Sequence, residues 1–286
     1  MSVNQDIDNK SVNLDKFDED GGTKRNLQGW NLKLVAIVAI SWSLFQLWYA
    51  SPLPYILNFG KIIDVPARSL HLAFGLVLCF LVYPTLKSKR KSKIATSNFI
   101  LVFISLLVTL YIFFDYEGLV YRQGILAKIE FGSFVIPYEL IIGTLGIILL
   151  LEATRRAIGI PLVAIALIFI LFSVFGQSMP YLISHQGLSI TRLVGYHWFG
   201  GEAIFGIPIS VSVSFIFLFV LFGAILDAAG GGKYFINLAF ALVGKMRGGP
   251  AKAAILASGL TGLISGSSVA NTVTTGTFTI PIMKKS

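Results

Sequence analysis

From Ala253 to Met283 the chain runs for 31 residues without one charged side chain, between Lys252 and the pair Lys284-Lys285. As a single helix that run would be about 46 Å long at 1.5 Å per residue, against a hydrocarbon core of roughly 30 Å. Its middle, Ser265-Gly-Ser-Ser-Val-Ala-Asn271, is also its most polar and least helix-favouring part. One straight span would leave those hydroxyls and the Asn271 amide in lipid, each needing a partner. Two half-helices of about 13–15 residues meeting near Gly266 remove both difficulties, because each reaches only to mid-membrane before the chain turns back. The expectation is a re-entrant helical hairpin with its tip inside the membrane. A Ser/Thr/Gly-rich packing helix, whose small residues allow close approach, is the alternative that composition leaves open.

Irregular backbone at that depth is tolerated only where protein or a water-filled cavity surrounds it. A broken helix presents free carbonyls at the end of one half and free N–H groups at the start of the other. The first suits a cation and the second an anion, the arrangement by which secondary transporters build midplane sites.

The remainder of the chain has the same solvent in view. Of its 286 residues 55% are hydrophobic and 13% charged, with mean hydropathy +0.78. Several apolar runs of 17 residues or more make it an all-α polytopic membrane protein and exclude soluble folds. The lone cysteine, Cys79, lies inside an apolar run, so disulfides and cysteine metal clusters are not expected. No cleavable signal peptide is visible, and residues 1–31 form a polar, partly acidic segment expected to be a disordered cytoplasmic tail.

Six transmembrane helices are expected, at about Leu32 to Ala50, Ser69 to Leu86, Asn98 to Phe114, Val135 to Leu151, Gly159 to Gly176 and Ile207 to Leu226. Pro161 and Pro208 stand near the starts of the last two, where a missing N–H costs nothing. The segment Tyr234 to Met246 carries only about 13 residues of apolar character, too few to span, and Lys233, Lys245 and Arg247 flank it. An interfacial amphipathic helix keeps those cations on one side. With the N-terminus cytoplasmic, 18 of the 23 Lys and Arg fall on the cytoplasmic side and 5 on the other. That bias is the net charge of +9 read as topology, and no nucleic-acid-binding motif accompanies it. It also favours the hairpin, since a full span would move Lys284-Lys285 outside.

Three ionisable residues lie in or beside the spans. Glu139, one turn into the fourth, is either a structural or interfacial group or an ion- or proton-handling one. His71 is expected near the interface, and Asp227 at the cytoplasmic end of the sixth span. Catalytic residues are not expected. His185, His197 and Glu202 form no metalloprotease helix, no Ser-His-Asp set converges, and no phosphate-cradling Gly-Lys-Ser/Thr motif is present.

The runs Arg247-Gly-Gly-Pro-Ala-Lys252, Ile264-Ser-Gly-Ser-Ser-Val-Ala-Asn271, Val273-Thr-Thr-Gly276 and Phe278-Thr-Ile-Pro281 resemble the large membrane subunit of tripartite ATP-independent periplasmic (TRAP) transporters. The wording VANxVTTGxFTIP, with Arg155-Arg156-Ala-Ile-Gly-Ile-Pro161 and Gly206-Ile-Pro-Ile-Ser-Val, is similar to the TAXI-type branch, in which a four-helix small subunit is fused ahead of the large one. The resemblance implies a small-subunit-like (Q-type) domain over residues 32–155 and the N-terminal part of a large-subunit-like (M-type) transport domain over 156–286. It is specific from Gly159 to Lys285. Over 32–155 it rests on helix count and order.

What the family implies is a sodium-driven elevator-type importer of organic acids in the bacterial cytoplasmic (inner) membrane. Its solute comes from a periplasmic binding protein, membrane lipid surrounds it, and no cofactor is needed beyond sodium as the coupling ion. The interfacial helix would be an arm joining a scaffold to a moving domain. The hairpin would carry half of the site, with Ser267, Ser268, Asn271 and Thr275 toward the substrate carboxylate. Ser265, Gly266, Ser267 and Thr274 would lie toward sodium. The family continues for several hundred residues past this point, so a chain ending at Ser286 is expected to be a fragment that cannot transport alone. A non-transporting membrane scaffold or accessory subunit is the alternative, and an organic-anion transporter of another hairpin-bearing family is a third.

Overall fold

The computed structural model describes residues 24–85, 94–122, 125–131 and 134–263, and beyond these Asn271, Thr272, Thr275, Gly276, Thr279, Ile280 and Met283. The longer helices are α1 (Trp30–Ala50), α2 (Asp64–Val82), α3 (Thr96–Phe114), α4 (Tyr138–Ala157), α5 (Ile160–Val174), α6 (Ile207–Ala228), α7 (Gly231–Val243) and α8 (Gly249–Gly262). Their starts follow local chemistry. Asp64 opens α2 from its first turn, where a carboxylate complements the helix dipole, and prolines stand in the first turn of α5, α6 and α8. Gly230 and Gly248 hold φ of 87° and 70° immediately before α7 and α8, the left-handed backbone that lets the chain turn sharply into the next helix.

Helices α1, α2, α3 and α6 are long and apolar enough to cross a membrane. Helix α5 is apolar but has 15 residues, and α4 has 20 while carrying Glu139, Glu152, Arg155 and Arg156. Two boundaries differ from the sequence expectation. Helix α2 begins at Asp64, five residues before the apolar run, because its first turn packs against protein rather than lipid: Val65 and Ala67 are buried. Helix α4 begins at Tyr138, because Phe134–Ile136 instead pairs antiparallel with Ile129–Phe131 as a short β-hairpin, Ile129 opposite Ile136. The described residues of the N-terminal segment are tied to α2: the Arg25 main-chain N–H donates to the Val82 carbonyl and its Nη1 to the Leu81 carbonyl, both at 3.0 Å.

The chain forms two compact units, one reaching to Ile216 and the other beginning at Phe217. In the first, α2 is the hub. Of its apolar stretch 61% is buried, against 28% for α3 and 6% for α1. Leu76 and Phe80 of α2 meet Val108 and Ile112 of α3, Leu149 and Ala153 of α4, and Trp198 and Phe205 from the connection after α5. Trp198 is fully buried because Gly143 and Gly146 leave α4 without side chains where its ring and the neighbouring Val194 and Phe199 lie. In the second unit, Ile236 and Ala239 of α7 pack on Ala253 and Ala257 of α8, small residues that let the two helices approach closely.

Candidate functional site

Helix α8 presents Ala253, Ala257 and Thr261 at four-residue spacing, one buried stripe. At its end the stripe turns polar. The Thr261 hydroxyl lies 2.8 Å from the Ala257 carbonyl and 2.5 Å from Asn271 Oδ1, while Asn271 Nδ2 donates to the Ser258 carbonyl at 3.1 Å. The Ser258 carbonyl can only accept, which fixes the orientation of the Asn271 amide. Gly262 makes room for it: a Cβ there would stand 3.2 Å from Nδ2. Asn271, Thr275 and Thr279 continue as one helical face, Thr275 Oγ1 donating to the Asn271 carbonyl and Thr279 Oγ1 to the Thr275 carbonyl, each at 2.7 Å.

A straight helix would set Ser258 and Asn271 about 20 Å apart. Their contact instead lays Asn271 alongside α8, with an amide and a hydroxyl joining the two segments. Of the residues expected to hold substrate or ion, Asn271 and Thr275 are thus placed. Ser265, Gly266, Ser267, Ser268 and Thr274, and with them the expected hairpin tip, lie outside the described residues. Asn271 Nδ2 also lies 3.5 Å from the Ser258 hydroxyl. Asn271→Leu is expected to lower the unfolding free energy by about 1–3 kcal/mol, because Thr261 and Ser258 lose a buried partner. Thermal unfolding of Asn271→Leu, Thr261→Val and the pair should give non-additive losses.

The other unit holds buried polar groups that the sequence did not locate. His71, expected near the interface, is 7% exposed and lies two turns into α2, packed within the protein. Its Nδ1 lies 3.2 Å from both Trp42 Nε1 and Gln46 Oε1 of α1, and its Nε2 3.0 Å from Ser212 Oγ of α6. One nitrogen cannot serve both neighbours together: without a proton Nδ1 accepts from Trp42, and with one it donates to Gln46. The Gln46 amide N donates to the Val213 carbonyl, in the π-helical turn Ser212–Ile216. Gln46 of α1 and His71 of α2 thus hold the first turns of α6.

Glu139 is fully buried and accepts three donors: the Tyr111 hydroxyl at 2.5 Å, Arg122 Nη2, and the Ala127 N–H at 2.5 Å. Arg122 also donates to Asp115 at 2.7 Å, and Tyr111 reaches Asp115 at 2.9 Å. Every described bond to Glu139 fastens α3 and the loop after it onto the first turn of α4, the structural role of the two left open by the sequence. Burial alone would raise the Asp115 carboxyl, but Arg122 and Tyr111 outweigh it and hold that group below its usual range. The bond to Asp115 in turn lifts Arg122 above its ordinary value. A depressed carboxyl stabilises the fold above its unfolded pKa of about 4, and the contribution is lost as pH falls through the folded value. Acidification below about pH 4 is expected to lower the melting midpoint of the unaltered protein more than that of Asp115→Asn.

A second ion cluster closes the far end of α4. Arg156 is buried, donating to Asn98 Oδ1 at 2.8 Å and to Glu152 at 2.7 Å, with its guanidinium 5.0 Å from the Phe80 ring centre. Arg155 pairs with the same Glu152 at 2.7 Å.

Residues 145–286, from within α4 through Asn271 and beyond, match the family model described as tripartite ATP-independent periplasmic transporter, DctM component. Over that region the chain belongs to the DctM family. This is a family of transporter permeases and not of enzymes. The DctM region therefore contains α8, the Asn271 contacts and the π-helical turn of α6. The chain is also 31% identical over 153 residues to the uncharacterized protein YgiK of Salmonella typhimurium, a match covering 54% of this chain and 31% of the relative. It spans about a third of the length of that curated relative. No solved structure matches it.

Proposed function

We propose that the chain is part of the permease of a binding-protein-dependent secondary transporter that imports organic acids down a sodium gradient. The proposal places it in the bacterial inner membrane with its N-terminus cytoplasmic. The observation that carries the reading is the bond from Asn271 to Ser258 within the DctM region. A chain that returns beside α8 after so short an excursion fits a re-entrant hairpin, and such hairpins supply the free helix ends that hold an ion and an anion at mid-membrane. Ser265, Gly266, Ser267 and Thr274 are proposed around sodium, and Ser267, Ser268, Asn271 and Thr275 around the substrate carboxylate.

An elevator mechanism is part of the proposal. The unit reaching to Ile216, in which α6 is held by Gln46 and His71, would be the fixed scaffold, joining a fused small-subunit-like portion to the start of the DctM region. The unit beginning at Phe217 would move, with α7 lying in the interface as its arm. Uptake by the complete permease in proteoliposomes tests this. Labelled organic acid should accumulate only with a binding protein outside and an inward sodium gradient, and Ser267→Ala with Ser268→Ala should abolish accumulation without lowering the melting midpoint. Accumulation that is indifferent to sodium would contradict the coupling.

A further inference from the structure

Helix α7 has one buried face and one exposed face. Gly232, Ile236 and Ala239 are buried, Ile236 and Ala239 in the cluster with α8. Tyr234 and Leu242 are each 63% exposed, and Met246, just past the helix end, is 54% exposed. On the same exposed face Lys233, Asn237 and Ala241 follow at four-residue spacing. The turn into α8 then adds Lys245, Arg247 and Lys252, all exposed.

Among the described residues none of these four cations has an ion-pair partner. From Phe217 to Ser286 the one acidic residue is Asp227. It stands beside the start of α7, where a Cβ on Gly232 would lie 3.3 Å from its Oδ1. Lys245 is about 18 Å further along the axis, beyond two Debye lengths at physiological salt. An aqueous surface explains the lysines but not the exposed Tyr234, Leu242 and Met246 beside them. An apolar partner explains those three and not the lysines. A phospholipid with an anionic headgroup matches both, its acyl chains against the apolar side chains and its phosphate against the cations.

We propose that α7 and the Lys245–Lys252 turn form a binding surface for anionic phospholipid headgroups, which ties the unit carrying α8 and Asn271 to one leaflet. This rests on the placement of α7 in the membrane interface made above. The test attaches a bimane fluorophore through Leu242→Cys in the complete permease, in a background with no other reactive cysteine. The protein is reconstituted in vesicles of phosphatidylcholine with a minor fraction of phosphatidylglycerol, and one lipid or the other is brominated as quencher. Brominated phosphatidylglycerol should quench more per molecule, by a local enrichment on the order of five-fold. Lys233→Gln, Lys245→Gln, Arg247→Gln and Lys252→Gln together should bring the two lipids to parity. Equal quenching in the unaltered protein, or a preference that survives neutralisation, would overturn the headgroup proposal while leaving α7 at the interface. Quenching by neither lipid would overturn the interfacial placement as well.

Discussion

Replacing Glu139 by alanine is expected to lower the unfolding free energy by about 3 kcal/mol, the lower part of the range for removing one partner of a buried ion pair. The loss falls on three donors at once, since Tyr111, Arg122 and the Ala127 N–H all converge on that carboxylate. The lower part of the range applies because the Arg122 side chain is 27% exposed and can turn to water or lean further on Asp115. Glu139→Gln keeps an acceptor oxygen in place and should cost less. Arg122→Ala combined with Glu139→Ala should cost well under the sum of the two, by a coupling of about 0.5–3 kcal/mol. Chemical or thermal unfolding in detergent measures all four. The same variants separate anchoring from ion handling. An anchoring Glu139 predicts that Glu139→Gln transports in proportion to the folded protein recovered. A stable, fully folded Glu139→Gln protein with no transport would assign the residue to the ion path.

Enlarging Gly146 is the second change with a large expected effect. A Cβ at this position would fall well inside van der Waals contact with three carbons of the Trp198 indole, and that indole is fully buried with no room to retreat. Gly146→Ala should therefore destabilise by about 1–3 kcal/mol, and Gly146→Leu by more. The compensating change is specific. Trp198 Nε1 is buried and without a hydrogen-bond partner among the described residues, so removing it forfeits no bond seen here. Trp198→Phe in the Gly146→Ala background should recover much of the loss, whereas on its own it should cost stability by leaving space beside Gly146. Near-ultraviolet circular dichroism and melting midpoints read both effects.

How far the sequence could reach depended on whether a feature was local. Helices α1, α3, α5, α6 and α7 follow from the length of their apolar runs, and Gly249–Gly262 begins four residues before the uncharged run from Ala253. The start of α2 was hidden because a search for apolar runs discards Asp64 and Arg68. Those residues carry helix-start chemistry and, in Arg68, a bond from Nη1 to the Phe205 carbonyl at 2.8 Å. The Ile129 to Ile136 hairpin has two short strand-favouring runs on either side of Gly132-Ser133 in the sequence, a signal available in principle but with a second run, Phe134-Val135-Ile136, that passes for the start of a membrane span.

Long-range partners were out of reach. His71 sits at the edge of an apolar run, which reads as interface. Its burial depends on Gln46, 25 residues away, and on Ser212, 141 residues away. Nothing in the run from Ile207 marks Ser212–Ile216 as a π-helical turn. Glu139 could be recognised as unusual for its position, yet neither spacing nor composition pairs it with Arg122 rather than with an ion. In the expected re-entrant hairpin, composition marks Asn271 as a polar group needing a partner. The partners, Ser258 and Thr261, became visible only with coordinates.

The claim beneath the functional account is that the chain enters and leaves the membrane on the same face around Asn271. Cysteines introduced singly by Lys252→Cys and Lys285→Cys, probed in sealed vesicles of known orientation with a membrane-impermeant maleimide, test it directly. The account predicts that both positions label from the cytoplasmic side and neither from the other. Labelling of the two from opposite sides would contradict it, and the proposed ion and substrate site would be lost with it.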